Sequence, residues 1–527
     1  MIAGMKRLFG GKSAEKMIWL VLLAGMIADR IIILFHFAFR YVDHDQTLMW
    51  YSAVEMMHGR FHEPCFYGQN YNSMMEGLFA IPFLYLHLPF HIAFPILTSA
   101  LAIFPYILFS FICLRQEKYF SACLILVVPI LLPFQYDMLT SMPRGFVTGI
   151  FLGSIACIAM FFPTNKACWF FYGFFSGFSV WANPNTALLV LPVALFLFLT
   201  NLRKISFYAF IVAGFIPPLI WILYTNHFYA THPDYNFYKP VVISFSFPLL
   251  SESFNYLDLF FNYVSPIFWK SGWAVLIIIA VMIFVLLKQK KIIAGISLLS
   301  GLLIILLSFG LNKVHNGNNN VFFSYSRMYL AVPVLIALFS SQIRITLSRA
   351  WLLALLSLGF IVFFLKNYRL DAAIQKALNE FNDVVFIREN TLIEKSCHDL
   401  KDLALKNHVS LIISLNTLYD QMFACTCLED SFPQTLLTHH ERRTWRFEEE
   451  EHTVRSNILL IGNQLVDSAW YLVSHAPNIQ RLHPGFNWLD DDVFPVYLIT
   501  NNQLQTPELF KSLWVGTRYY EGTRHIQ

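Results

Sequence analysis

The chain has 527 residues, of which 57% are hydrophobic, 17% aromatic and only 13% charged, with a formal net charge of +4 and a mean hydropathy of +0.53. That balance excludes a water-soluble globule and describes a polytopic membrane protein. No nucleic-acid partner is expected.

The first apolar span covers residues 17–39. Lys6, Arg7, Lys12 and Lys16 precede it and no small-residue cleavage site follows, so it reads as a retained helix with its N-terminus inside. Asp29 and Arg30 lie near its middle, where charge is costly, and are expected as a buried compensated pair or as contacts to a neighbouring helix. A loop of residues 40–91 follows and opens with Asp43-His44-Asp45-Gln46. Paired carboxylates just outside the bilayer can take a proton from an acceptor hydroxyl or hold a divalent cation. Residues 45–59 suit an interfacial helix, with Leu48, Met49, Val54, Met56 and Met57 on its apolar side and Glu55 and His58 wet. Residues 76–90, interrupted by Pro82 and Pro89, are apolar but short and belong to the outer interface.

Ten further spans are expected near 92–114, 119–136, 145–162, 167–182, 185–201, 206–224, 272–287, 292–311, 328–341 and 350–366, eleven in all. The inside segments then hold fourteen Lys and Arg in roughly 40 positions, while the outer loops 40–91, 137–144, 225–271 and 312–327 hold seven in roughly 125, the asymmetry that the positive-inside rule requires. The frame puts a polytopic α-helical domain at 1–366 in the cytoplasmic (inner) membrane, N-terminus inside, and a periplasmic domain at 367–527. Asp137, Arg144 and Arg327 share the outer face with Asp43 and Asp45. A planar guanidinium suits a phosphate, and snorkelling to the interface is the alternative for Arg327. Asn183-Pro184-Asn185 reads as the turn of an outer hairpin.

Beyond Lys366 the composition turns mixed and polar. Apolar runs at 384–387, 411–415, 458–461 and 496–500 alternate with helical stretches at 391–406, 464–474 and 507–515, which describes a soluble α/β domain. No Gly-rich phosphate loop follows any of these strands, so no nucleotide is expected. Glu448 to Glu451 reads as a solvated face. Cys397 can bridge Cys425 or Cys427 in a compartment that permits disulfides.

The membrane half resembles the GT-C glycosyltransferases, in the branch of the protein O-mannosyltransferases and the bacterial aminoarabinose lipid A transferases. The carriers are Asp43-His44-Asp45-Gln46 with the helix ending His58-Gly59-Arg60, then Tyr67-Gly68-Gln69-Asn70-Tyr71, Met75-Glu76-Gly77, Asp137 and Ser326-Arg327-Met328-Tyr329-Leu330 with Pro333. The resemblance implies a polyprenyl-phosphate sugar donor and an acidic base in the first outer loop, which matches Asp45 best. Gln46 stands where many relatives have a second acid. On this reading Asp45 is the base, with Asp43 beside it. Arg327 and Arg144 receive the donor phosphate, Glu76 and Asp137 bind substrate or, with Asp43, a divalent cation (Mg2+ or Mn2+), and Tyr67, Gln69 and Tyr71 contact substrate. Trp50, Tyr67, Tyr71 and Trp181 offer rings on which a sugar could stack. The acceptor is a protein, lipid or glycan of the cell envelope. An O-antigen-ligase-like transferase, a polytopic transporter and a membrane-anchored binding protein remain as alternatives.

Overall fold

The computed structural model describes residues 13–69, 72–232, 243–269, 271–317, 321–344, 349–380, 387–414, 422–437, 453–461, 479–486, 496–500 and 505. Helices stand at every position where the hydropathy pattern expects a span. Five are long and apolar enough to cross a membrane: Ala14–Ala38, Phe90–Arg115, Pro184–Asn201, Ile205–Thr231 and Ala350–Asn367. The others, Tyr119–Leu131, Phe146–Met160, Gly272–Lys288, Ile292–Ser308 and Tyr325–Ser340, are shorter apolar helices, as is Met75–Tyr85 in the first loop. The Ile205–Thr231 helix leaves Val212, Ile216, Leu219 and Ile220 exposed, which soluble packing would not tolerate and lipid accepts. Asn183 caps the 3-10 turn Pro184–Thr186 by accepting the Asn185 N–H at 3.0 Å, so the expected turn is there.

The chain divides into two compact units. The first comprises residues 1–38, 95–222 and 240–381. Within it Ser13–Ile33 packs on Tyr119–Leu131 and on Arg349–Asn367, and Phe146–Ala156 packs on Lys166–Ala182. The latter pair needs glycine: a Cβ on Gly149 would come within 2.7 Å of Asn183 Cβ, and one on Gly153 within 2.9 Å of Ser179 Oγ. Small residues let helix backbones approach where lipid offers no hydrophobic drive to press them together.

Four of the buried charges in the same unit form one network. Asp29 and Arg30, adjacent in sequence, point to different partners. Asp29 accepts from Lys366 at 2.5 Å and from Asn367 Nδ2 at 3.0 Å. Arg30 pairs with Asp137 at 2.9 Å and donates from Nη1 to the Asp137 carbonyl at 3.0 Å and to Thr140 Oγ1 at 2.9 Å. Lys366 also pairs with the second Asp137 oxygen, closing the chain of charges. Of the two expected arrangements for Asp29 and Arg30, contact to neighbouring segments is the one found. Two cations and two anions leave the network neutral, which lets all four stay buried.

The second unit comprises residues 39–94, 223–239 and 382–527, so the first loop and the C-terminal residues belong together. The sequence division at 366 follows composition, whereas contacts group the segments that bury one another. Strand β1 (Tyr41–Val42) pairs antiparallel with β2 (Arg388–Glu389), and Asn390 donates from its backbone N to the Arg40 carbonyl and from Nδ2 to the Phe39 carbonyl, both at 2.7 Å. A five-stranded mixed sheet follows the order β4 (Gln434–Leu437), β3 (Leu411–Ser414), β5 (Asn457–Ile461), β7 (Val496–Thr500), β6 (Ile479–Leu482). β3 is parallel to β4 and β5, and β7 is antiparallel to β5 and β6. Helix Asn390–Lys406 carries Cys397, bridged to Cys425 of helix Met422–Leu428. The expected strand at 384–387 lies outside the described residues except for Ile387, as do the helices at 464–474 and 507–515 and the run Glu448 to Glu451.

Removing one member of the buried ion network leaves its partners uncompensated. Lys366→Met should lower stability in detergent by roughly 3–5 kcal/mol, and adding Asp29→Asn should recover part of the loss. Thermal unfolding of the purified variants measures this, and wild-type unfolding of Lys366→Met would show that the network carries no stability.

Candidate functional site

The first-loop residues are organised by helix His44–Met57 in the second unit. Asp43 precedes it in extended conformation, and its Oδ1 accepts the Gln46 N–H at 2.9 Å, the bond that satisfies an otherwise orphaned donor of a helix start. Its side chain is fully buried. Asp45, two residues on, lies in the first turn, where the helix dipole favours an anion, and is only partly buried. The two carboxylates therefore differ in kind: one is a cap held inside, the other is within reach of solvent.

Glu55 departs from expectation. It is buried, with its Oε2 3.0 Å from His62 Nε2 and 3.5 Å from Arg60 Nη1, because the chain after the helix folds back and supplies cations that the helical period alone does not show. Glu63 is also buried and accepts from the Tyr229 hydroxyl at 2.7 Å, while that hydroxyl takes the Cys65 N–H at 3.3 Å. The two residues are 166 positions apart in the chain, so no local pattern shows this pairing.

Tyr67 adopts a left-handed backbone with φ of 45° and donates its hydroxyl to the Leu48 carbonyl at 3.1 Å. That bond ties the turn to the helix, so Tyr67 positions the loop. Gln69 is buried in the same turn, its N–H donating to the Phe66 carbonyl at 2.9 Å and its carbonyl accepting from Asn72 N at 3.1 Å. Tyr71 lies outside the described residues. Glu76 is fully buried in the first turn of Met75–Tyr85. Its neighbour Gly77 marks a close helix crossing, since a Cβ there would meet Ser52 Oγ at 2.5 Å.

In the first unit, Asp137 is held by Arg30 and Lys366 as described, so its carboxylate serves as an anchor rather than as a free ligand. Among the described residues no group of three or more His, Cys, Asp or Glu side chains is arranged to hold a metal ion.

The cations behave differently. Arg144 is buried, with its guanidinium 5.4 Å from the Phe322 ring centre and 6.0 Å from that of Phe323. Arg327 stacks on the same Phe323 ring at 5.0 Å and donates to the Asn316 carbonyl at 2.7 Å. Two guanidinium groups therefore share one aromatic ring, in a geometry that favours each singly and opposes them jointly. Burial, and then the charge of Arg327, push Arg144 down to about 9. Burial, and then Arg327 again, also lower Lys313 from its ordinary value. Lys313 was counted in sequence only as an outer-loop charge; its separation from Arg327 along the chain hid their electrostatic contact. An anion is what such a cluster of cations accommodates.

No protein-family model matches the chain, and no curated protein sequence matches it. Among solved structures, ArnT from Cupriavidus metallidurans in the apo state is similar at a TM-score of 0.44 and 10% identity, with 91% of this chain and 97% of that chain covered. The functional reading therefore rests on this chain's own residues.

The capping geometry separates the two first-loop aspartates by a stability measurement. Asp43→Ala should cost about 1 kcal/mol through loss of the helix cap, whereas Asp45→Asn keeps the side-chain shape and should change stability by less than about 0.5 kcal/mol. Thermal unfolding of the two variants checks the order, and equal losses would remove the distinction.

Proposed function

We propose that the chain is a membrane glycosyltransferase that moves a sugar from a polyprenyl-phosphate donor to an acceptor hydroxyl on the outer face of the inner membrane. The observation that carries this reading is the pairing of Arg144 and Arg327 on Phe323, with Lys313 in their field. Transfer from a lipid phosphate needs two things at once: the leaving phosphate gains negative charge, and the acceptor hydroxyl loses a proton. Fixed guanidinium groups meet the first need, since their planar forks match phosphate oxygens in directions that an ammonium cannot reproduce. Asp45 meets the second. It is the partly accessible carboxylate of the pair, and Asp43, by capping the helix, holds the turn that presents it.

In the reaction the acceptor oxygen attacks the anomeric carbon, the bond from that carbon to the phosphate oxygen breaks, the phosphate leaves with the electron pair, and Asp45 takes the acceptor's proton. Glu76 and the turn carrying Tyr67 and Gln69 shape the first-loop side of this chemistry. The donor is already activated, so no nucleotide takes part. The sugar is a hexose or pentose, and glycan and glycolipid mass spectrometry on a strain lacking the gene would identify it together with the acceptor.

Asp45→Asn should lower turnover by roughly 10²- to 10⁴-fold with donor binding nearly unchanged, the loss typical of a general base. The assay is sugar transfer from a polyprenyl-phosphate donor to membranes of the deletion strain, and a wild-type rate in the variant would refute the assignment of the base.

Arg327→Ala should abolish measurable use of the donor and Arg327→Lys should restore only part. Donor affinity should be highest below the lowered value of Arg144, about 9, and weaken above it, because deprotonation removes the charge that attracts the phosphate. Donor titrations across pH measure both effects, and unchanged affinity in Arg327→Ala would place the phosphate elsewhere.

A further inference from the structure

Helix His44–Met57 carries an anomaly beside its first-loop aspartates. Gln46 and Trp50 are each 1% exposed, yet Gln46 Nε2 and Trp50 Nε1 have no hydrogen-bond partner among the described residues. The two residues are four apart, so they stand on adjacent turns of one helix face. Buried donors are ordinarily satisfied, because desolvating an N–H without replacing its water bond is unfavourable. Two orphans one turn apart, in the same helix as Asp45, are unlike isolated packing defects.

The setting of Trp50 narrows what it can do. Its ring lies against Phe90 with centroids 5.7 Å apart and planes 29° apart, so an aromatic neighbour already stacks on the indole and its unsatisfied group is the N–H edge. Beside the stacking role expected for Trp50 from sequence, its N–H edge offers a donor. Gln46 offers an amide N–H at the same helix face, and its own backbone N–H is already used by the Asp43 cap. What fits two fixed donors about one helical turn apart is a ligand with several acceptor oxygens on a compact frame.

We propose that Gln46 and Trp50 are positioning residues that donate hydrogen bonds to the hydroxyl or ring oxygens of a sugar, and that their N–H groups are left unpaired for that purpose. This inference rests on the glycosyltransferase reading above. The shared chemistry is a sugar's oxygens, and these belong either to the donor sugar or to a glycan acceptor. Neither residue exchanges a proton in the reaction; their contribution is orientation relative to Asp45.

A site that keeps donors unpaired trades stability for binding, and this gives a test with opposite signs. Gln46→Leu retains size and removes the orphan, so the purified full-length variant should unfold at a temperature equal to or above wild type while sugar recognition falls. Trp50→Phe, which keeps a ring against Phe90, should weaken sugar recognition likewise. Polyprenyl-phosphate hexose and bare polyprenyl phosphate serve as probes in titrations that need no turnover.

If the donor sugar is the ligand, wild type should bind the glycosylated lipid more tightly than the bare lipid, and Gln46→Leu should erase roughly a tenfold preference, the worth of about one good hydrogen bond. If a glycan acceptor is the ligand, both lipids bind as in wild type and the KM for acceptor-bearing membranes rises by a similar factor. Loss of stability in Gln46→Leu together with unchanged affinity for both lipids and unchanged KM for acceptor would overturn the inference. Wild-type protein that transfers no sugar at all would instead refute the reading on which it rests, and the two failures are separate results.

Discussion

Four charges buried together hold the first unit in register: Asp29, Arg30, Asp137 and Lys366. They come from the first apolar helix, the short segment after Tyr119–Leu131 and the last long apolar helix, elements more than three hundred residues apart in the chain at their extremes. Each charge would be prohibitive alone in such surroundings, and together they cancel. Apolar helices can slide or rotate against one another with little change in energy, since one aliphatic surface resembles another. A chain of ion pairs with fixed directions has no equivalent alternative, so it sets which helices meet and at what height.

Hydropathy made the helical architecture legible because it reports the local solvent of each segment. The spans at 92–114, 185–201 and 206–224, for example, coincide closely with helices Phe90–Arg115, Ala187–Asn201 and Ile205–Thr231. The helix of the first loop was readable from the spacing of Leu48, Met49, Val54, Met56 and Met57, although that spacing did not show that Glu55 would be buried. Strands β3, β5 and β7 stood out as apolar runs, whereas β4 and β6, with Gln434 and Thr435 or Gln480 and Arg481, carry polar residues that mask them.

What the sequence hid were relations between distant residues. Asp137 looks like a ligand until Lys366 is placed beside it, and Glu55 looks wet until His62 and Arg60 fold back over it. Lys313 gains meaning only from the field of Arg327. Asp43 and Asp45 are nearly interchangeable as letters, but capping geometry gives them different tasks. Composition and period describe a residue's own preferences, while these relations depend on which residues the fold brings together.

On the function proposed above, this chain cleaves the bond between a sugar and a polyprenyl phosphate. Purified wild-type protein reconstituted in liposomes with a polyprenyl-phosphate hexose, mixed with membranes of the deletion strain, tests it by lipid mass spectrometry. The expected result is loss of the glycosylated lipid matched by bare polyprenyl phosphate, with the sugar recovered on an acceptor in those membranes. A donor that stays intact across hexose and pentose forms, under conditions where the protein remains folded, would contradict the account.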